Sequence, residues 1–466
     1  MLDFENLQMY RENNRIEAKK SLGGLPKSLW ETYSAFANTM GGILLLGVEE
    51  YKDKSLHLVN LPNPEALVAE FFAILRNPKK VSANILTEQD VTIKEIDGNR
   101  IIVIHVPRAR RYDRPVYVDG DPFTGSYRRN GEGDYRCTRE QVQAMLRDAV
   151  MHSQDMDVLP DLELSALDEN TVHRYRMHME DERPGHPWEA LNDAEFLYRL
   201  GAAGPGEDGI LHPTGAGLLL FGREDEIIKQ YPHYVLDYQE ADDPSAGSEP
   251  ERITSTSDDW SGNLYDFYYK VYPKLTKHTS DENHAAIQSA LCEALANCLI
   301  HADYHGSRGI VIIRKAGAVT FSNPGTFRID LRTAKNGGVS DPRNAALLKM
   351  FNLVGIGRGT GCGMPHIYQA WEKQGWNDPI VQELFAPNRT TITLSLGSTQ
   401  PVQNRMTYKE IIIDYLTDHV VGTNADLRNI TGLSAARVIL ILKELLEEEL
   451  IVAEGPKRHR VYRLKA

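Results

Sequence analysis

The stretch ALCEALANCLIHADY, residues 290–304, restricts the fold more than any other part of this chain. Glu293, Asn297 and His301 recur at every fourth position, and Asp303 follows. Positions i, i+4 and i+8 of an α-helix share one face, so the three polar groups lie along a single line. Leucine, alanine, cysteine and isoleucine fill the remaining faces, as in a helix given to a core. A polar row inside such a helix needs a partner: a metal ion, a nucleotide or a buried hydrogen-bond network.

Residues 355–363 read GIGRGTGCG. Glycines at 355, 357, 359, 361 and 363 free the backbone for positive φ and let a phosphate approach its amides. The loop runs into GMPHIYQAWEKQG, helical from Ile367, which puts it at a helix N-terminus where anions are favoured. Row and loop together resemble the GHKL ATPase fold. The resemblance implies that Asn297 holds Mg²⁺, that Glu293 orients an attacking water, and that Gly357, Gly359, Gly361 and Gly363 wrap the phosphates of ATP. It also implies a base-recognising residue on the strand AVTFSNPGTF, where the family's Asp is replaced by Asn323, ahead of Pro324 and Gly325. An Asn oxygen still accepts a hydrogen bond from an adenine amino group, so binding is expected more firmly than hydrolysis. The NPG element, a PRN element at 342–344 and the glycine loop resemble the C-terminal ATP-binding domain of RecG-like proteins. That places Arg343 and Asn344 near the nucleotide, beside His301 and Gly325.

At 466 residues the chain holds about three domains of roughly 150 residues each. Its hydrophobic fraction of 41% suits a soluble globular protein. No apolar run approaches the ~20 residues of a membrane helix, and the N-terminus lacks a basic region followed by an apolar one. A cytoplasmic protein with no membrane partner is expected. Cys137, Cys292, Cys298 and Cys362 show no C-x-x-C spacing, which argues against a zinc site or a disulfide framework. The net charge of −13 opposes nucleic acid at first sight. Residues 1–150, however, hold 21 basic and 21 acidic residues, so the whole excess lies beyond them. Arg108, Arg110, Arg111 and Arg114 cluster within that neutral part, with Arg128 and Arg129 after them, and Lys457, Arg458 and Arg460 lie near the C-terminus. Basic patches on an acidic protein can hold a polyanion while the bulk resists non-specific adsorption.

Periodicity predicts strands at 16–19, 43–48, 91–96 and 101–106, a helix over 27–40, and another at 138–149 opened by a Thr138–Gln141 capping box. Glu12 with Glu17-Ala-Lys19, then AFANTMGGILLLGVEE, then SYRRNGEG resemble the AlbA-like domain of Schlafen proteins over nearly all of residues 1–150. The resemblance implies nucleic-acid binding, with Lys19 and the arginines in contact. In Schlafen-type nucleases three acidic residues carry the site. Glu12 and Glu17 match the first two, with Glu49 or Glu50 as the third, a set suited to Mg²⁺ or Mn²⁺.

Residues 407–466 read as helix, helix, helix and a two-stranded wing, a winged helix-turn-helix with a basic wing. The expected architecture is therefore α+β multidomain. An AlbA/Schlafen-like α/β domain occupies 1–150, a connector 151–265, a GHKL-like α/β sandwich 266–400 and a winged helix 405–466. The leading expectation is a homo-oligomeric regulator or effector in which ATP controls assembly or the engagement of DNA or RNA. A Schlafen-like metal-dependent nuclease acting in stress or phage defence is the alternative, and a non-enzymatic oligomeric scaffold a third.

Overall fold

A computed structural model describes residues 4–241, 251–277, 285–315, 317–357, 361–397, 408–419, 421–431, 435–447, 450–455 and 460–465. Chain contacts divide it into two units: 1–109, 116–137 and 400–466 form one, and 110–115 with 138–399 the other. The architecture is mixed α and β, with several sheets.

In the first unit a four-stranded sheet runs Ile16–Lys19, Gly42–Leu46, Asn99–Val106, Val91–Ile96. The first pair is parallel and the others antiparallel. Successive side chains of a strand point to opposite faces. Leu44, Leu46, Ile102 and Ile104 accordingly join Leu29, Tyr33 and Phe36 of the helix Ser28–Asn38 in one core, while Leu45, Ile101 and Val103 join Leu7 and Ile16 in another. A strand covered on both faces reads as an unbroken apolar run, which explains GILLL. The strand expected over 43–48 is divided at Gly47, where φ is +83° and a Cβ would meet Val59 O at 2.9 Å. Buried Asn38 closes the unit: its Nδ2 donates to Val116 O (2.7 Å), and its Oδ1 accepts from Val116 N (2.8 Å). Residues 408–465 of this unit supply the helices Tyr408–His419, Asn424–Thr431 and Ala435–Glu447 and a small sheet, Gly422–Thr423, Val461–Leu464, Ile451–Glu454, around their own core.

The second unit is built on a six-stranded sheet ordered Arg252–Thr254, Leu236–Ala241, Ile310–Lys315, Ala318–Pro324, Asn388–Ser395, Ile380–Phe385. Only the pair Leu236–Ala241 and Ile310–Lys315 is parallel. Alternate residues Ile310, Ile312, Val319, Phe321, Ile392 and Leu394 share one core with Leu291, Leu295 and Leu299 of the helix Ala285–Ile300. The same core takes in Tyr175, Leu218–Phe221 and Tyr238. The connector expected over 151–265 is thus continuous with the sheet, and the boundary expected at 150 falls at 137. The helix Arg139–Ala149 starts at the predicted capping box, Thr138 N–H donating to Gln141 Oε1 at 2.9 Å. The two antiparallel strands 380–395 were not anticipated, because polar residues interrupt their pattern on the exposed face.

Candidate functional site

The helix Ala285–Ile300 gives its apolar residues to the core and its polar row to an open cavity. Glu293 is 5% exposed, Asn297 half-buried, and His301 stands one residue beyond the helix. Asn323, Thr326, Arg328, Asp341, Arg343 and Thr390 line the same cavity, with Gly357, Gly361 and Gly363. Row and loop meet directly. Gly363 opens the helix Gly363–Lys373, and a Cβ there would collide with Glu293 Oε1 and lie 2.7 Å from Asn297 Nδ2. The helix N-terminus therefore packs closely against the polar row, and a larger residue at 363 would displace the ends of the Glu293 and Asn297 side chains. Glu293 presents a carboxylate oxygen to that point, a hard donor of the kind Mg²⁺ accepts alongside phosphate and water, and Asn297 presents its amide nitrogen. Gly359 lies outside the described residues.

Asn323 and Pro324 end the strand Ala318–Pro324, paired with Thr390 and Arg389. The amide nitrogen of Asn323 donates to Pro324 O (3.2 Å), and Thr390 Oγ1 donates to Gly325 O (2.9 Å). His301 is pushed down to about 4 by burial and then by the positive charges of Arg343 and Arg328. It is neutral at physiological pH and offers a hydrogen bond in place of a charge.

Two expectations are corrected here. Asn344 does not line the cavity; its Nδ2 donates to Ile300 O and Ala302 O at 2.8 Å each, satisfying carbonyls at the end of the polar-row helix. Gly325 is a spacer: at φ +99° its missing Cβ makes room for the Arg343 guanidinium. Arg343 does line the cavity, with four of its five N–H donors engaged, two on Asp148 (3.0 and 2.9 Å), one on Thr326 O (2.9 Å) and one on His301 O. Asp341, at the same wall, pairs with Arg111 (2.5 Å).

Sequence reasoning missed Asp148 and Arg328. Arg328 Nε donates to Asp148 Oδ1 (3.0 Å). Burial alone would raise the Asp148 carboxyl, but Arg343, then Arg328 and Arg114, hold it well below the usual carboxylate range. Asp148 sits in the last turn of a helix with a strongly polar face, where nothing local marks it as buried. The N-terminus of the helix Ala345–Leu353 is served from a distance, Ala345 N donating to Ser153 Oγ (3.0 Å) and Leu347 N to Asp155 Oδ2 (2.9 Å).

In the N-terminal unit Glu12, Glu17 and Glu50 come together. Glu12 accepts from Ala18 N (2.9 Å), and burial, then Glu17 and, more weakly, Glu50, push its carboxyl up to about 7. Glu17 is buried between Lys19 and Arg129, the latter at 2.7 Å. Glu49 turns instead to Lys20 (3.0 Å). Among the described residues no three acidic, histidine or cysteine side chains stand at spacings that would hold a metal ion. The arginine expectations divide. Arg111, Arg128 and Arg129 are buried, so they cannot form the surface patch expected of them. Arg129 is consumed by Glu17, Asp134 (3.0 Å) and the Asn13 carbonyl. Arg110 and Arg460 are exposed and Lys19 and Arg108 half-buried, while Lys457 and Arg458 lie outside the described residues.

Residues 12–138 match the family model described as Schlafen, AlbA_2, and residues 143–237 match a domain of unknown function, DUF8451. No curated protein matches the chain. Among solved structures, the DIP2311 protein from Corynebacterium diphtheriae is 17% identical, covering 97% of this chain and 95% of its own, with a TM-score of 0.39. The N-terminal domain of a RecG-related protein from Nitrosomonas europaea is 31% identical over 29% of this chain and 90% of its own, with a TM-score of 0.23. Among the described residues no helix is long and apolar enough to cross a membrane.

Proposed function

From the Schlafen AlbA_2 domain over residues 12–138 we propose a nucleic-acid-binding protein whose second unit binds ATP with Mg²⁺ in the cavity under the polar row. The observation that carries the nucleotide reading is the seat of Gly363 on Glu293 and Asn297, which brings the end of a glycine-rich stretch, a helix N-terminus, a carboxylate and a side-chain amide to one cavity. Asn323 can accept from the adenine amino group, as its own amide nitrogen is taken up by Pro324 O. Bound Mg²⁺ would neutralise phosphate charge, with Asn297 and Glu293 as its protein-side donors. The order of elements over 408–465, three helices and a small sheet, supports a winged helix. In this reading ATP orders the loop at 355–363, and that order regulates how nucleic acid is engaged. Isothermal titration of the full chain with ATP and Mg²⁺ tests it. Asn297→Ala should bind at least about tenfold more weakly, the equivalent of ~1.4 kcal/mol; equal binding, or none by the unsubstituted chain, sinks the reading.

One observation favours a second reading, cleavage of RNA in the Schlafen manner. Glu17 and, more weakly, Glu50 lie near enough to raise the Glu12 carboxyl, an acidic neighbourhood like that of the Schlafen-type site, although their spacing as it stands would not hold a metal ion. Incubation with RNA and Mn²⁺ should then give cleavage that Glu12→Gln abolishes, and intact RNA after incubation removes this reading.

A further inference from the structure

The wall of the polar-row cavity that carries Arg328 and Arg343 is shared with a second, smaller cavity. Asp148 lines only the smaller one, on the far side of the two arginines. Its Oδ1 accepts from Arg343 Nε (3.0 Å) and Arg328 Nε (3.0 Å), and its Oδ2 from Arg343 Nη2 (2.9 Å). One carboxylate thus compensates two buried guanidiniums, and each guanidinium braces cavity backbone in turn. Arg343 holds the Thr326 and His301 carbonyls, and Arg328 holds Pro342 O (3.0 Å). Arg111 closes the arrangement. Its Nη1 takes the Asp148 carbonyl (2.6 Å) and the Val150 carbonyl (2.8 Å), while its Nε pairs with Asp341 of the cavity wall. Arg111 lies inside the stretch that matches Schlafen AlbA_2, yet the segment 110–115 groups with residues 138–399.

We infer that Asp148 is a positioning residue that sets the nucleotide cavity by holding Arg328 and Arg343, and that Arg111 couples this hold to the nucleic-acid-binding stretch. The second half rests on the ATP reading above; the first does not. Losing the carboxylate leaves two like charges buried side by side, which forces the wall to rearrange. Because coupling between two sites is reciprocal, nucleic acid must alter ATP affinity by the factor that ATP alters nucleic-acid affinity.

Hydrogen exchange on the full chain without any ligand tests the first half. In Asp148→Asn, amides at 326–328 and 341–344 should exchange at least about tenfold faster, and Asp148→Glu should restore protection, which a residue that merely fills space would not do. Exchange unchanged in Asp148→Asn overturns the inference. Titration with ATP and Mg²⁺, with and without a single-stranded RNA, tests the second half. RNA should shift ATP affinity of the unsubstituted chain by about fivefold or more, and Arg111→Gln should abolish the shift. A shift that persists in Arg111→Gln overturns the coupling. If ATP fails to bind the unsubstituted chain while exchange responds as expected, the nucleotide reading falls and the positioning role of Asp148 stands. If exchange is unchanged in Asp148→Asn while ATP still binds the unsubstituted chain, the positioning role falls and the nucleotide reading stands.

Discussion

Glu12 combines three features that make it the most informative single residue of the N-terminal unit: partial burial, a backbone donor at Ala18 and two neighbouring carboxylates. Its carboxyl rises from an ordinary 4.5 to about 7, burial first and Glu17 next. The folded chain therefore holds a proton there, between those two values, that the unfolded chain has released. Stability from this group is full below about 4.5 and is lost as pH rises through about 7. Denaturant unfolding at pH 5 and pH 8 should show that fall, and Glu12→Gln should remove most of it. An unchanged fall in Glu12→Gln would assign it to other groups. The pairing of Glu12 with Glu17 came from the resemblance to the Schlafen-type site. The burial of Arg128 and Arg129 was not readable: SYRRN suggests a surface basic pair, and only the chain returning beside residues 13–17 turns Arg129 inward onto Glu17.

At the scale of elements, the polar row was readable because helical periodicity is a local property. The glycine-rich stretch was readable as a composition. Its meeting with the row was implied only by the GHKL resemblance, since Gly363 reaches Glu293 across seventy positions of chain. The same limit applies to the ends of helices. Capping by Thr138 and Gln141 is local and was predicted, whereas the helix Ala345–Leu353 takes its cap from Ser153 and Asp155, nearly two hundred residues earlier. The residue before that helix, Asn344, serves a different helix altogether. Arg343 follows the same rule: the resemblance placed it near the nucleotide, while four of its five donors go to Asp148, Thr326 and His301, partners set by the fold.

For the molecule as a whole, the expected division at 265 has a specific failing. The strand Leu236–Ala241 lies inside the six-stranded sheet, between Arg252–Thr254 and Ile310–Lys315. A fragment of residues 266–400 would expose the edge of Ile310–Lys315 and lose the packing of Leu218–Phe221 and Tyr238. Circular dichroism should show no cooperative melting for that fragment, and a sharp transition like that of the full chain would contradict the shared core.

The amino-acid sequence by itself determined the α+β character, the Schlafen AlbA_2 stretch, the polar-row helix and the glycine loop, because periodicity, turn chemistry and short motifs act within a few residues. Tertiary structure alone decided which charges are buried and what they hold. A carboxylate such as Asp148 carries no mark of its role in the residues beside it. Its burial is tolerable only because Arg328 and Arg343 arrive from elements far along the chain, and a buried charge is defined by the partners that compensate it.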